Sequence, residues 1–187
     1  MLPIPSLSLS LSAASPATTT FPAASRFNFR GSDCAYYVAG SGPPVVLLHG
    51  FAGSVYNCWR STVPALAATH TVYGIDLLGL GASAQPAEVE YSIDLWREQC
   101  AAFVRERLGG EAPVIIGHSF GSLIALELAR TLAAQGTPAR GVGMMNCGVG
   151  MNNKNALKAQ PRRNLGGIST PRRNLGGSRR RLSAPRR

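Results

Sequence analysis

Acidic residues are missing from both ends of this 187-residue chain, and all nine fall between Asp33 and Glu127. Residues 1–30 carry only Arg26 and Arg30 as charges, and residues 141–187 carry eleven basic side chains with no acid. The net charge of +10 therefore resides in the ends, because residues 31–140 set six arginines against nine acids. A mildly acidic centre is excluded as a basic nucleic-acid-binding domain, so no specific nucleic-acid partner is expected. No apolar run approaches the roughly 18 residues of a membrane-spanning helix, and no membrane span is expected. Cysteine is sparse: Cys34, Cys58, Cys100 and Cys147 form no C-x-x-C pair and have no histidine at ligand spacing. That pattern argues against a zinc site or a disulfide framework and for buried free thiols. Histidine is scarcer still, with His49, His70 and His118 alone and none after residue 118.

What is present divides into three compositions. Residues 1–30 are rich in Ser, Ala, Thr and Pro, too poor in large apolar groups to offset the entropy of ordering. Such a serine-rich, acid-free, lightly basic stretch is expected to be a disordered plastid transit peptide, with chloroplast localisation; a plain disordered leader on a cytoplasmic protein is the alternative. Residues 31–152 alternate strand-like and helix-like patterns. Strands are predicted at Cys34–Val38, Val45–Leu48, Val72–Leu77, Pro113–Ile116 and Gly141–Cys147. Helices are predicted at Trp59–Ala68, from Ser92 to the Gly109-Gly110 stop, and at Phe120–Ala134. Strands alternating with helices imply βαβ units around a mostly parallel sheet, so the fold class is α/β. Residues 153–187 form a basic low-complexity tail, with Pro-Arg-Arg-Asn-Leu-Gly-Gly at 161–167 and again at 171–177. Two short polar copies cannot stack into a core, and the tail is expected to be disordered.

The chemistry concentrates at Gly117-His-Ser-Phe-Gly121. This is G-x-S-x-G with an apolar strand entering and a long helix leaving, the setting of a nucleophile elbow. Gly117 and Gly121 keep the turn tight, and Ser119 would be held strained with its hydroxyl exposed at the carboxyl end of the sheet. The competing interpretation is a glycine-rich turn with a structural serine. His49-Gly50-Phe51-Ala-Gly53 follows the earlier buried strand, where a second oxyanion donor belongs. The backbone N–H groups of Phe51 and Phe120 are the candidate oxyanion hole. His49 and Gly50 join Gly117 and Gly121 as supports of that geometry. Asp76, opening Asp76-Leu-Leu-Gly-Leu-Gly-Ala-Ser83, is expected to tie down local N–H groups.

Together VVLLHGFAGS (45–54), Trp59-Arg60, VYGIDLLGLGASAQP (72–86), VIIGHSFGSLIALELA (114–129) and GMMNCGVGMNNK (143–154) resemble the α/β-hydrolase superfamily. The phrase DLLGLGASAQP and the runs Asn146-Cys-Gly and Met151-Asn-Asn-Lys154 also resemble the plant and cyanobacterial branch that includes pheophytinase and chlorophyll dephytylase. The resemblance implies a serine ester hydrolase, possible substrates being chlorophyll-type or other lipophilic or small-molecule esters. It implies no metal and no organic cofactor.

The departures matter as much. The family's triad runs Ser, then Asp or Glu, then His. After Ser119 there is no histidine, and the one acid is Glu127, two turns into the following helix. His118 adjoins the serine in sequence, but neighbouring side chains diverge at an elbow, and His49 is expected to be structural. The chain thus carries the N-terminal half of such a sheet, truncated after the sixth strand. It is expected to be inactive by itself and to leave an apolar sheet edge unpaired. Three functions follow: a truncated relative of an ester hydrolase, a non-catalytic binder of lipophilic ligands, or a basic tail attracted non-specifically to nucleic acid or anionic membrane. Oligomeric state is left open.

Overall fold

A computed structural model describes residues 21–147. It contains β1 (Ser25–Phe29), β2 (Ser32–Ala39), β3 (Pro44–Leu48), α1 (Val55–Trp59), α2 (Val63–Ala67), β4 (Thr71–Ile75), α3 (Ile93–Arg107), β5 (Val114–His118), α4 (Phe120–Ala134) and β6 (Gly141–Met145). The strands form one six-stranded sheet in the order β1-β2-β4-β3-β5-β6. β1 and β2 pair antiparallel with their neighbours, and β4, β3, β5 and β6 run parallel. The α/β class expected from the alternation is the architecture found.

β3 shows why the parallel strands read as continuous apolar runs: all five of its residues are buried. Its side chains alternate between two cores, as the twofold strand period requires. Val46 and Leu48 join Ile75 and Ile115 beneath α3 and α4, together with Phe103, Phe120, Ile124 and Leu128. Val45 and Leu47 join Val72 beneath α1 and α2, with Val55, Trp59 and Val63. Ser92 caps α3 by accepting from Leu95 N–H at 3.2 Å.

Several boundaries differ from the sequence expectation, three of them for reasons visible in the packing. The leader assigned to residues 1–30 overreaches, because Ser25–Phe29 is a strand whose Phe27 and Phe29 are buried against the α3 core. Its alternation of Arg26 and Asn28 with two phenylalanines is a half-buried strand pattern hidden inside a Ser/Ala-rich composition. Arg30 and Gly31, at φ 52° and 78°, make the two-residue turn into β2, and Gly31 N–H donates to Asn28 Oδ1 at 3.0 Å. The helix expected over Trp59–Ala68 is two helices, since Pro64 is accepted only in a first turn and a new helix begins at Val63. The strand expected to reach Leu77 stops at Ile75, and Leu77 N–H donates to His49 Nε2 at 3.0 Å instead of to a neighbouring strand. The part of the expected transit peptide before residue 21 and the basic tail lie outside the described residues.

Candidate active site

The site is assembled where β3 and β5 end, side by side in the sheet. Ser119 connects β5 to α4 with φ 51° and ψ −115°, a conformation that L-residues adopt only under constraint. The constraint comes from close packing on both sides of it. A Cβ on Gly117 would lie 2.2 Å from the Gly121 carbonyl oxygen, and a Cβ on Gly121 would lie 2.5 Å from that of Leu48. Only glycine fits at either place, which is the physical content of the G-x-S-x-G spacing. The far side is tied by β6: Ser119 N–H donates to Met145 O at 2.7 Å. Ser122 Oγ donates to Gly117 O at 2.8 Å.

The loop leaving β3 comes against this elbow. The position of a Cβ on Gly50 is 3.1 Å from His118 Nδ1 and 3.4 Å from Ser119 Cβ, so the loop lies in close contact with the elbow. Gly53 N–H donates to Gly50 O at 3.2 Å, and Phe51 sits inside that turn. The Phe51 ring meets Phe120 edge-on, centroids 5.8 Å apart, and Phe120 in turn packs on Trp96 at 5.0 Å. Phe120 N–H is the first amide of α4 and has no acceptor within its own helix. Ser119, Phe51, Phe120, His49, Gly50, Gly117 and Gly121 are thus brought into one neighbourhood.

None of the three histidines is hydrogen-bonded to Ser119 among the described residues. His49 is fully buried, its Nδ1–H donating to Gly50 O at 2.8 Å while Nε2 accepts from Leu77 N–H at 3.0 Å. Burial pushes its pKa below the usual imidazole range, so it is a neutral brace between the loops after β3 and β4. His118 turns away from the serine, toward Cys58 Sγ at 3.9 Å and the Trp59 ring. His70 bonds Thr69 at the start of β4, the opposite end of the sheet. Glu127, the acid that follows Ser119, is paired with Arg130 on α4.

Asp76 does what its loop implied. Oδ1 accepts from Val55 N–H at 2.7 Å, and Oδ2 accepts from Ala82 N–H at 2.8 Å and from Tyr37 O–H at 3.2 Å. Two supports escaped the sequence reading. Gln99, fully buried on α3, donates Nε2–H to Asp76 O at 3.1 Å and accepts from Leu78 N–H at 2.8 Å. Ser83 Oγ donates to Asp76 O at 2.6 Å and accepts from Ala35 N–H at 2.9 Å. The signal for Gln99 was a polar residue three places after Trp96, on the buried face of an otherwise apolar stripe. Among the described residues, no cluster of three His, Cys, Asp or Glu side chains could hold a metal ion, and no helix is long and apolar enough to cross a membrane.

Comparison with known proteins agrees with this geometry. The chain is 38% identical over 93 residues to 2-hydroxymuconate semialdehyde hydrolase of Pseudomonas sp. strain CF600, covering 49% of this chain and 32% of that enzyme. It is 41% identical over 90 residues to the pimeloyl-[acyl-carrier protein] methyl ester esterase of Aeromonas hydrophila, covering 48% and 33%. Among solved structures, an α/β hydrolase fold protein from Burkholderia ambifaria superposes with a TM-score of 0.57 at 31% identity, over 66% of this chain and 43% of that one. The chain thus spans about a third of the length of these two curated relatives. The sequence profile of the α/β hydrolase fold matches residues 43–142, more than half of the chain. With the elbow, the β3 loop and the sheet order in place, the chain belongs to the α/β hydrolase fold family.

Proposed function

We propose that Ser119 is the nucleophile of an ester hydrolase and that the backbone N–H groups of Phe51 and Phe120 are its oxyanion donors. The observation that carries this reading is the strained Ser119 backbone at the junction of β5 and α4. A strained conformation costs about 1–3 kcal/mol and persists only where the surroundings enforce it. Here the two glycines and the Met145 carbonyl do so, leaving the serine at the carboxyl end of the sheet. Attack by its hydroxyl on an ester carbonyl would place negative charge on the carbonyl oxygen. Two preorganised N–H groups on rigid backbone stabilise such charge without reorganising.

The proton on Ser119 needs a base, and residues 21–147 bring none to it. His49 has both ring nitrogens engaged, and His118 faces the other core. We therefore read the 187-residue chain by itself as lacking Ser119-dependent turnover. The supporting feature is that no histidine follows Ser119 in its sequence. The 187-residue chain is expected to hydrolyse a nitrophenyl ester no faster than its Ser119→Ala variant; a reproducible difference between the two would overturn the inactivity reading. The nucleophile assignment has its own check in the intact mass of the native protein. If that mass exceeds the 187-residue chain, Ser119→Ala in the longer form should lower kcat by at least about 10⁴-fold. Retained activity would remove Ser119 from the chemistry.

For substrate, the reading favours lipophilic esters of the chlorophyll type, supported by the resemblance of residues 76–86 and 146–154 to the pheophytinase branch. Plastid import is proposed with it, on the composition of the leader. Loss of about the first 20 residues in the same mass spectrum, leaving β1 in place, is the expected sign.

A further inference from the structure

On the face of the sheet opposite α3 and α4, Cys58 at the end of α1 meets His118 at the end of β5, with Sγ to Nδ1 at 3.9 Å. The two residues are 60 positions apart in sequence, and only the pairing of β3 with β5 brings them together. Cys58 is half-buried, whereas Cys34 and Cys100 are fully buried. Burial also holds those two thiols protonated, Cys34 being pushed up to about 11. Beside the pair, the Trp59 ring stands edge-on to His118, with centroids 6.4 Å apart. Its Nε1–H is buried and has no hydrogen-bond partner among the described residues. An unsatisfied buried donor of this kind costs about 1–3 kcal/mol.

We propose that Cys58 is a thiol-modification site, with His118 as its base and small disulfides as the reagents it takes. The Cys58 S–H proton passes to His118 Nδ1, and the thiolate attacks one sulfur of the incoming disulfide. The new S–S bond forms as the old one breaks. The departing thiolate recovers the proton from the imidazolium, leaving a mixed disulfide on Cys58 and one free small thiol. An imidazole in contact with a thiol is placed to take its proton as the sulfur attacks. The position has a consequence that rests on the ester-hydrolase reading. Cys58 Sγ is 3.4 Å from where a Cβ on Gly53 would sit, so it faces the back of the loop that carries Phe51. An adduct there bears on the proposed oxyanion donor, and Ser119 chemistry would be thiol-sensitive.

The test uses the 187-residue chain with Cys147→Ser, exposed to glutathione disulfide at neutral pH and mapped by peptide mass spectrometry. Expected is one glutathionyl group on Cys58, with Cys34 and Cys100 unmodified. The rate should fall about tenfold in His118→Asn, which keeps a polar atom near the sulfur but removes the base. Equal rates in the two proteins, with Cys34 and Cys100 still protected, would overturn the proposal. A second measurement needs no variant at His118. Cys58 should react faster in the folded chain than in the same chain unfolded in urea, and a slower reaction in the folded chain would overturn it. Both are read without ester turnover, so the site stands or falls separately from the ester-hydrolase reading.

Discussion

At Ser119 the backbone angle, not the hydroxyl, is what the surrounding structure labours to hold. Replacing it with glycine keeps φ 51° accessible without a Cβ to strain. Ser119→Gly is therefore expected to raise stability by about 1 kcal/mol, read as a higher urea midpoint at unchanged slope. The flanking glycines are different in kind, because a Cβ at Gly117 or Gly121 collides with backbone carbonyls that have nowhere to move. This much was legible in the sequence, since a glycine two residues either side of a serine between strand and helix has few other uses. The diverging direction of His118 was legible too, from elbow geometry alone. Its contact with Cys58 was not, because it depends on which strands become neighbours.

Among the elements, α3 carries a duty that its apolar stripe conceals. Trp96 donates Nε1–H to Leu78 O at 2.8 Å, and Gln99 bonds both Asp76 O and Leu78 N–H. The loop after β4 is thereby held from the helix, and Asp76 within it holds the start of α1 through Val55 N–H. Gln99→Leu would leave the Leu78 N–H without a partner, while Asp76 O would keep Ser83 Oγ. A loss of about 1–3 kcal/mol is expected in chemical denaturation, against about 0.5 kcal/mol or less for a surface change on α3. β1 shows the opposite failure of local reading. Five residues with two phenylalanines are too few to stand out from a Ser/Ala-rich leader, and they become a strand because β2 offers a paired edge and Phe103 an aromatic partner at 5.1 Å from Phe27. The α1–α2 break lies between these cases: Pro64 announced it, but an apolar period running through it suggested one helix.

For the molecule as a whole, pH acts through thiols sealed in the core. Cys34 is pushed up to about 11 from 9.0 by burial and then by the Asp33 carboxylate, and Cys100 is raised by burial and then by Cys34. Protonated thiols therefore favour the folded state below pH 9, and that contribution is lost as pH rises from 9 toward 11. Tyr37 and Tyr73, raised from 10.0, add to the loss only above pH 10. Between pH 9 and 10 the urea midpoint should thus fall with pH, and Cys34→Ala should flatten that fall. At the opposite end of the scale, His49 is neutral in the fold and disfavours protonation, so its contribution disappears as pH drops below 6.5. The sequence by itself determined the α/β alternation, the buried parallel strands and the elbow, because each is a pattern within some ten neighbouring residues. Tertiary structure alone decided that β1 is a strand, that Gln99 anchors the Asp76 loop, and that His118 faces Cys58 rather than Ser119. Those outcomes turn on contacts across 21 to 76 residues of chain, which exist only after the sheet order has set which elements meet.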